Sequence, residues 1–227
     1  SIDGLAFVED GAIIKNTART RTTDLSVLPS ALDVVPLTDD EGKPLYESVA
    51  YETSRGCPFK CSFCEWGTGM LGTKIYQFPL ERTRSDWEKI VNAGIANIWL
   101  ADSNFGALKE DIEKTRIVCE LKEKTGLPST FATSWSKKHN PRVQEIVLML
   151  NQHGLLPHYQ LALQTLTPLA LELSNRKNMA ANEYEPIAKA MAEAGVPIAA
   201  ELIWGLPGDN LADFECNLDK LIATFPN

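Results

Sequence analysis

Cys57, Cys61 and Cys64 fall within the run Ser54-Arg55-Gly56-Cys57-Pro58-Phe59-Lys60-Cys61-Ser62-Phe63-Cys64. Thiolates this close together can bind metal, and three of them leave a metal site unfinished. A structural zinc ion takes four ligands in one tetrahedron. A four-iron, four-sulfur cluster has four irons to hold, so three cysteines leave one iron an open position where a small molecule can bind. No histidine falls between Glu47 and Trp99, and Cys119 and Cys216 lie far along the chain. The spacing, three residues and then two, also differs from the paired C-x-x-C of zinc ribbons. A zinc knuckle completed by a distant ligand stands as the alternative.

Such a loop needs a rigid frame. From residue 47 short apolar strands alternate with helices. Strands are expected at Ser48–Ser54, Asn97–Ala101, Thr130–Ser134, His158–Gln164 and Ile198–Trp204. The first helix is expected at Ser85–Asn92, opened by the capping box Ser85-x-x-Glu88 and closed by Gly94. The second is Lys109–Lys124, ending at Gly126. The third starts at Pro141, capped by Asn140, and runs to Gly154. A helical stretch through Leu173, a helix Glu183–Glu193 capped by Asn182, and Leu211–Thr224 follow. Five strand–helix units with apolar strands predict an α/β fold, a parallel sheet with helices outside. In barrels of parallel strands, function collects at the carboxyl ends of the strands, and the cysteine loop follows the first one.

Residues 1–46 read differently, as an amino-terminal extension. Leu5–Val8 and Ala12–Ile14 flank Asp10-Gly11, the signal of a hairpin turn. The remainder of that stretch is polar and weakly periodic.

With 227 residues, 44% of them apolar and 23% charged, the chain suits one large globular domain. Its longest apolar runs, such as Ile146–Leu150, are far too short to span a bilayer. Nothing near Ser1–Leu5 reads as a signal peptide. Clustered cysteines argue for a reducing compartment, with the cytoplasm as the default. Net charge is −8 and no basic block exceeds Lys137-Lys138, so the basic stripe of a nucleic-acid binder is missing.

The pattern C-x-x-x-C-x-aromatic-C after a short extended run resembles the signature of the radical S-adenosylmethionine (SAM) superfamily, and the resemblance continues over most of residues 47–225. Within it, Glu52–Cys57, Cys64-Glu65-Trp66-Gly67 and Asp102–Gly106 most resemble cobalamin-dependent members. The resemblance implies a partial parallel (β/α)6 barrel over residues 47–227, whose sixth unit is expected beyond Asn227. Residues 1–46 then resemble a connector from a cobalamin domain expected before Ser1.

The same resemblance implies a [4Fe-4S] cluster on Cys57, Cys61 and Cys64, with SAM on the open iron and cobalamin held outside this chain. It places Phe63 against the SAM adenine, Asp102 at the SAM amino group, Gln164 at the ribose and Arg176 at the carboxylate. Asp102-Ser103-Asn104 departs from the Gly-Gly-Glu-like run usual at its position. Gly205, in Gly205-Leu206-Pro207-Gly208-Asp209, matches a family turn where backbone approaches ligand. Trp66 and Trp135 are candidates to face the cavity, while Trp87, Trp99, Cys119 and Cys216 read as packing.

The activity so implied is reductive cleavage of SAM to a 5′-deoxyadenosyl radical, in a cobalamin-dependent methyltransferase acting on an unactivated carbon. The expected partners are a small-molecule or peptide substrate and a flavodoxin- or ferredoxin-like electron donor, with no membrane and no nucleic acid. The alternatives are a radical SAM cyclase or epimerase, an RNA methylthiotransferase, and a non-catalytic metal-binding module.

Overall fold

A computed structural model of the protein describes residues 2–68, 74–179 and 181–225. The amino-terminal hairpin forms as its turn chemistry requires. Strands β1 (Ala6–Glu9) and β2 (Ala12–Lys15) pair antiparallel, with Glu9 opposite Ala12. Asp10 and Gly11 both take positive φ, 50° and 76°, the geometry of a two-residue hairpin turn. Both strands are exposed throughout. The segment that follows is anchored: Ser30 Oγ donates to Asp86 Oδ2 at 2.7 Å, and Leu25 is buried.

The expected strand–helix alternation is present and the sheets are parallel. Strands β3 (Ser48–Tyr51), β6 (Asn97–Phe105) and β7 (Thr130–Trp135) form one parallel sheet in the order β3-β6-β7. Strands β8 (Tyr159–Gln164) and β9 (Ile198–Leu202) form a second. Among the described residues no strand ladder joins β7 to β8. The two sheets meet through Trp135 and Tyr159, whose rings pack edge to face at 5.3 Å, and Phe131 N–H donates at 2.8 Å to Leu155 O in the connection before β8.

Side-chain alternation assigns the two faces. On β6 and β7, Ile98, Leu100 and Phe131 point under the helices and are at most 1% exposed. They pack with Trp87 and Ile90 of α1 (Leu80–Asn92), Ile117 and Val118 of α2 (Asp111–Thr125), and Ile146 and Val147 of α3 (Pro141–Gln152). Burying each such side chain stabilises the fold by about 1.5–3 kcal/mol. The opposite face carries Trp99, Ala101, Ser134, Gln160, Ala162 and Glu201, which open onto a cavity.

Several boundaries differ from expectation. Helix α1 starts at Leu80, five positions before Ser85, because extended Pro79 (φ −55°, ψ 140°) sets its entry and Pro79 O accepts from Thr83 N–H. Ser85 and Glu88 therefore lie inside the helix, and Thr83, Trp87 and Ile90 form its buried stripe. The expected first strand breaks in two: β4 (Ser54–Arg55) leaves the sheet and pairs antiparallel with β5 (Tyr76–Gln77). Strand β6 runs on past Ala101 to Phe105, with a register shift between Leu100 and Phe105. Asp102, Ser103 and Asn104 thus sit within a strand, not in a loop after it.

Helix α2 opens at Asp111, not Lys109, since the Asp111 carboxylate accepts from Gly106 and Leu108 N–H at 2.8 and 2.9 Å. Helix α3 has the expected cap, Asn140 Oδ1 accepting from Arg142 and Val143 N–H. Helix α4 spans Pro168–Leu173, α5 spans Ala181–Glu193 and α6 spans Leu211–Thr224. Asn182, expected as the cap of α5, instead lies within that helix, which starts at Ala181. Among the described residues no helix is long and apolar enough to cross a membrane.

Candidate active site

The cysteine loop leaves β4 at Gly56, whose φ is 111° and where a Cβ would lie 2.1 Å from Lys74 O. Only glycine fits there. Gly67 closes the loop in the same way, since a Cβ would sit 2.2 Å from Cys61 O. Between them Cys64 N–H donates to Cys61 O at 3.2 Å, and Gly67 N–H to Cys64 O at 2.8 Å. The loop is tied to the sheet by Ser103 Oγ donating to Gly56 O at 2.5 Å. It is tied to the segment after α4 by Ser62 N–H to Ser174 O and Asn175 Nδ2 to Lys60 O, both 2.9 Å.

Cys57 and Cys61 are buried and Cys64 is half-buried. Nitrogen donors meet two of the three sulfurs. Asn104 Nδ2 lies 3.2 Å from Cys57 Sγ, Lys137 Nζ lies 3.4 Å from Cys61 Sγ, and Arg176 Nη1 lies 3.8 Å from the same Sγ. Buried Asn104 keeps its Oδ1 without a partner beside the loop. Among the described residues no three His, Cys, Asp or Glu side chains converge on a point as they would for a single ion. An iron–sulfur cluster asks for something else: each thiolate holds its own iron, and N–H groups face the sulfurs. The residues present fit that requirement.

Beside the loop lies a cavity of about 360 Å³. Cys57, Phe63, Cys64, Asp102, Gln164 and Arg176 all line it, so the fold brings six of the residues singled out in the sequence to one place. Gly205 is not among them. Its φ of 84° serves a turn at the surface, and its added Cβ would meet nothing within 4 Å. The fifth strand contributes Glu201 instead.

Gln164 ends β8 in the left-handed region, with φ 67°. A non-glycine residue there stores about 1–3 kcal/mol of strain. The turn is held by Ile203 N–H donating to Gln164 O at 2.6 Å, while Gln164 Nε2 donates to Glu201 Oε2 at 3.2 Å. Arg176, buried, donates through Nε to Asn178 Oδ1 at 2.7 Å and through Nη2 to Ala162 O. With Nη1 on Cys61, three of its five N–H groups are used, which leaves two for a ligand. Its Cζ stands 6.0 Å from the centre of the Phe63 ring.

Asp102 differs from the expected picture of a free acceptor. It is 1% exposed and already takes hydrogen bonds from Thr53 N–H and hydroxyl and from Ser54 N–H and hydroxyl. Burial pushes its carboxyl above the ordinary range, against the opposing pull of Lys114 and of those donors. Its acceptors are engaged by β4, so it holds the strand that delivers the cysteines.

Two packing assignments are corrected. Trp99 is 55% exposed and lines the cavity, because it shares a face of β6 with Ala101, opposite to that of buried Ile98 and Leu100. Cys216 is exposed, since Asn217 and Leu221 form the buried stripe of α6. Cys119 is buried as expected, and burial raises its thiol to about 12. Sequence reasoning missed Lys137, Asn104 and Glu201. The available signal for Glu201 was a lone carboxylate in the small apolar run Ile198-Ala199-Ala200-Glu201-Leu202.

Comparison with known proteins matches these elements. The family model described as the radical SAM superfamily matches residues 51–221. The 2-(S-pantetheinyl)-carbapenam-3-carboxylate methyltransferase of Streptantibioticus cattleyicolor is 30% identical over 172 residues, covering 76% of this chain and 25% of that protein. The cobalamin-dependent radical SAM methyltransferase TokK of Streptomyces tokunonensis is 29% identical over the same shares. This chain therefore spans about a quarter of the length of those curated relatives. The solved structure of the radical SAM methyltransferase TsrM from Kitasatospora setae superposes with a TM-score of 0.63 at 16% identity, covering 78% of this chain and 34% of that one, a likeness of fold. The matched residues contain the whole cysteine loop, all five parallel strands but the first positions of β3, and every residue placed on the cavity, and the chain belongs to the radical SAM superfamily.

Proposed function

We propose that this chain is the core of a radical SAM enzyme in which Cys57, Cys61 and Cys64 hold a [4Fe-4S] cluster and the adjoining cavity binds SAM. The observation that carries the reading is the cysteine loop itself: clamped by Gly56 and Gly67, faced by Asn104, Lys137 and Arg176, and open to a cavity of about 360 Å³. In the same reading β3, β6, β7, β8 and β9 belong to a partial (β/α)6 barrel over residues 47–227, with residues 1–46 as a connector.

When bound, the cluster supplies one electron for the reductive cleavage of SAM, which yields a 5′-deoxyadenosyl radical. The chain binds, orients and shields. Arg176 offers two free N–H groups to the SAM carboxylate, a charge-assisted contact. Gln164, steadied by Glu201, reaches the ribose, and Phe63 packs on the adenine. Trp66, Trp99 and Trp135 line the same space and exclude water from a reactive species. Asp102 keeps β4, and with it Gly56 and Cys57, fixed against β6.

The overall reaction is a cobalamin-dependent methyl transfer to an unactivated carbon of a small molecule or peptide, with cobalamin bound outside these residues. The relatives named as methyltransferases, one of them cobalamin-dependent, support this choice. A low-potential protein of flavodoxin or ferredoxin type serves as electron donor.

The test is anaerobic reconstitution of the full-length protein, with iron and sulfide analysis, then dithionite reduction and assay of SAM products. About four irons and four sulfides per chain are expected, with formation of 5′-deoxyadenosine, and of S-adenosylhomocysteine when cobalamin is added. A protein that takes up zinc in preference to iron, and never consumes SAM, sinks the reading.

A further inference from the structure

We propose that Lys137 sets the reduction potential of the cluster through Cys61. The inference rests on the cluster reading above. Lys137 lies two residues beyond β7, and its ammonium is fixed at two points, 3.4 Å from Cys61 Sγ and 4.8 Å from the centre of the Phe59 ring. It is half-buried and lines the cavity wall.

The kind of support matters. A carboxylate partner would hold Lys137 but cancel its charge. An aromatic face holds the ammonium and leaves the charge in place. Among the described residues the ammonium contacts a sulfur and a ring, and the stretch that carries it, residues 124–144, contains no Asp or Glu. Phe59 lies two residues before Cys61, so the loop that presents the thiolate also presents the ring that aims the cation at it.

A [4Fe-4S] cluster on three thiolates carries net negative charge, and one-electron reduction adds another. A cation beside it favours the reduced form more than the oxidised one, and cluster potentials respond to nearby charge and to hydrogen bonds at sulfur. The electron comes from a low-potential one-electron protein donor, and no bond forms or breaks at Lys137. Arg176 is the second cation at Cys61, but its Nε and Nη2 are committed to Asn178 and Ala162. Lys137 is therefore the group whose removal changes the charge at Cys61 while leaving the Arg176 scaffold in place.

The experiment is a redox titration followed by electron paramagnetic resonance on the reconstituted full-length protein, with iron and sulfide measured on each sample. In Lys137→Met the reduced fraction at a fixed poise should fall about tenfold, a shift of about 59 mV to more negative potential for a one-electron couple. Iron content should not change. Lys137→Arg should hold the midpoint near that of the wild type, and Phe59→Leu should move it in the same direction as Lys137→Met by a smaller amount.

A Lys137→Met protein with full iron content and an unchanged midpoint overturns the proposal. So does weaker SAM binding at an unchanged midpoint, which would place Lys137 on the ligand carboxylate. Should Lys137→Met fail to retain iron, Phe59→Leu reads the same shift, and an unchanged midpoint there overturns the idea. A wild-type protein that takes up no iron instead overturns the cluster reading, and this inference with it.

Discussion

Thr53 gives both its backbone N–H, at 2.7 Å, and its hydroxyl to the carboxylate of Asp102. Ser54 repeats the pattern, at 3.0 and 2.8 Å. Both backbone N–H groups meet Oδ1 and both hydroxyls meet Oδ2, so removing the carboxylate leaves two buried N–H groups without an acceptor. Asp102→Ala should lower stability by about 3 kcal/mol, the scale of lost hydrogen bonds to a buried charged group, and should reduce iron retention. Urea denaturation measures the first and iron analysis the second. A loss below about 1 kcal/mol, ordinary for a point substitution, would mean that β4 is held by something else.

The cysteines divide into two classes with different outcomes. Cys57→Ala, Cys61→Ala and Cys64→Ala should each abolish SAM cleavage and the visible absorbance of the reconstituted protein. Cys119→Ala and Cys216→Ala should keep both. Full cleavage by a Cys61→Ala protein would remove the cluster assignment.

Arg176→Ala should weaken SAM binding by roughly ten- to a hundredfold, the value of a charge-assisted contact of about 1.5–3 kcal/mol. Calorimetry on the reconstituted protein is the measurement. Asn178 and Ala162 O also lose a donor, so the comparison with Arg176→Lys matters: lysine restores charge without the fork and should recover only part of the affinity. A change smaller than about twofold matches a surface ion pair and would free Arg176 from the ligand.

Acid sensitivity should trace in part to His139. Burial pushes its imidazole below the ordinary value, with Nδ1 3.1 Å from Tyr159 Oη. A group whose folded pKa is lowered binds protons more readily unfolded, so its stability contribution is intact above the unfolded pKa and is lost as pH falls through both values. Wild type should therefore lose stability relative to His139→Gln as pH drops below about 6.5. Parallel denaturant midpoints for the two proteins between pH 7 and 5 would count against this.

Local signals carried far into this fold. Asp10-Gly11 specified a hairpin turn, Asn140-Pro141 a helix start, and Gly126 a helix end, because each acts on backbone groups a few residues away. The start of α1 was hidden because Pro79 acts through its own extended geometry, while Ser85 and Glu88 imitate a cap in mid-helix. Cavity residues were legible only where a motif marked them. Trp99 shares its strand with buried Ile98 and Leu100, and bulk alone does not reveal which sheet face is filled by helices. Lys137 was invisible for a different reason: its meaning lies in Phe59 and Cys61, some 76 residues earlier for the latter.

The break between β7 and β8 bears on how the cavity wall is held together. Ser134 and Trp135 stand on one side of that break and Gln160, Ala162 and Gln164 on the other, so the cavity straddles it. Within each sheet, widening would rupture rungs of backbone pairing. Across the break, among the described residues, side chains make the join: buried Trp135 and Tyr159 pack edge to face, with Trp135 also on Phe105 and Tyr159 on His139. The wall is thus knitted by backbone within each sheet and mortared by buried rings between them, so its continuity on that side depends on the fit of side chains.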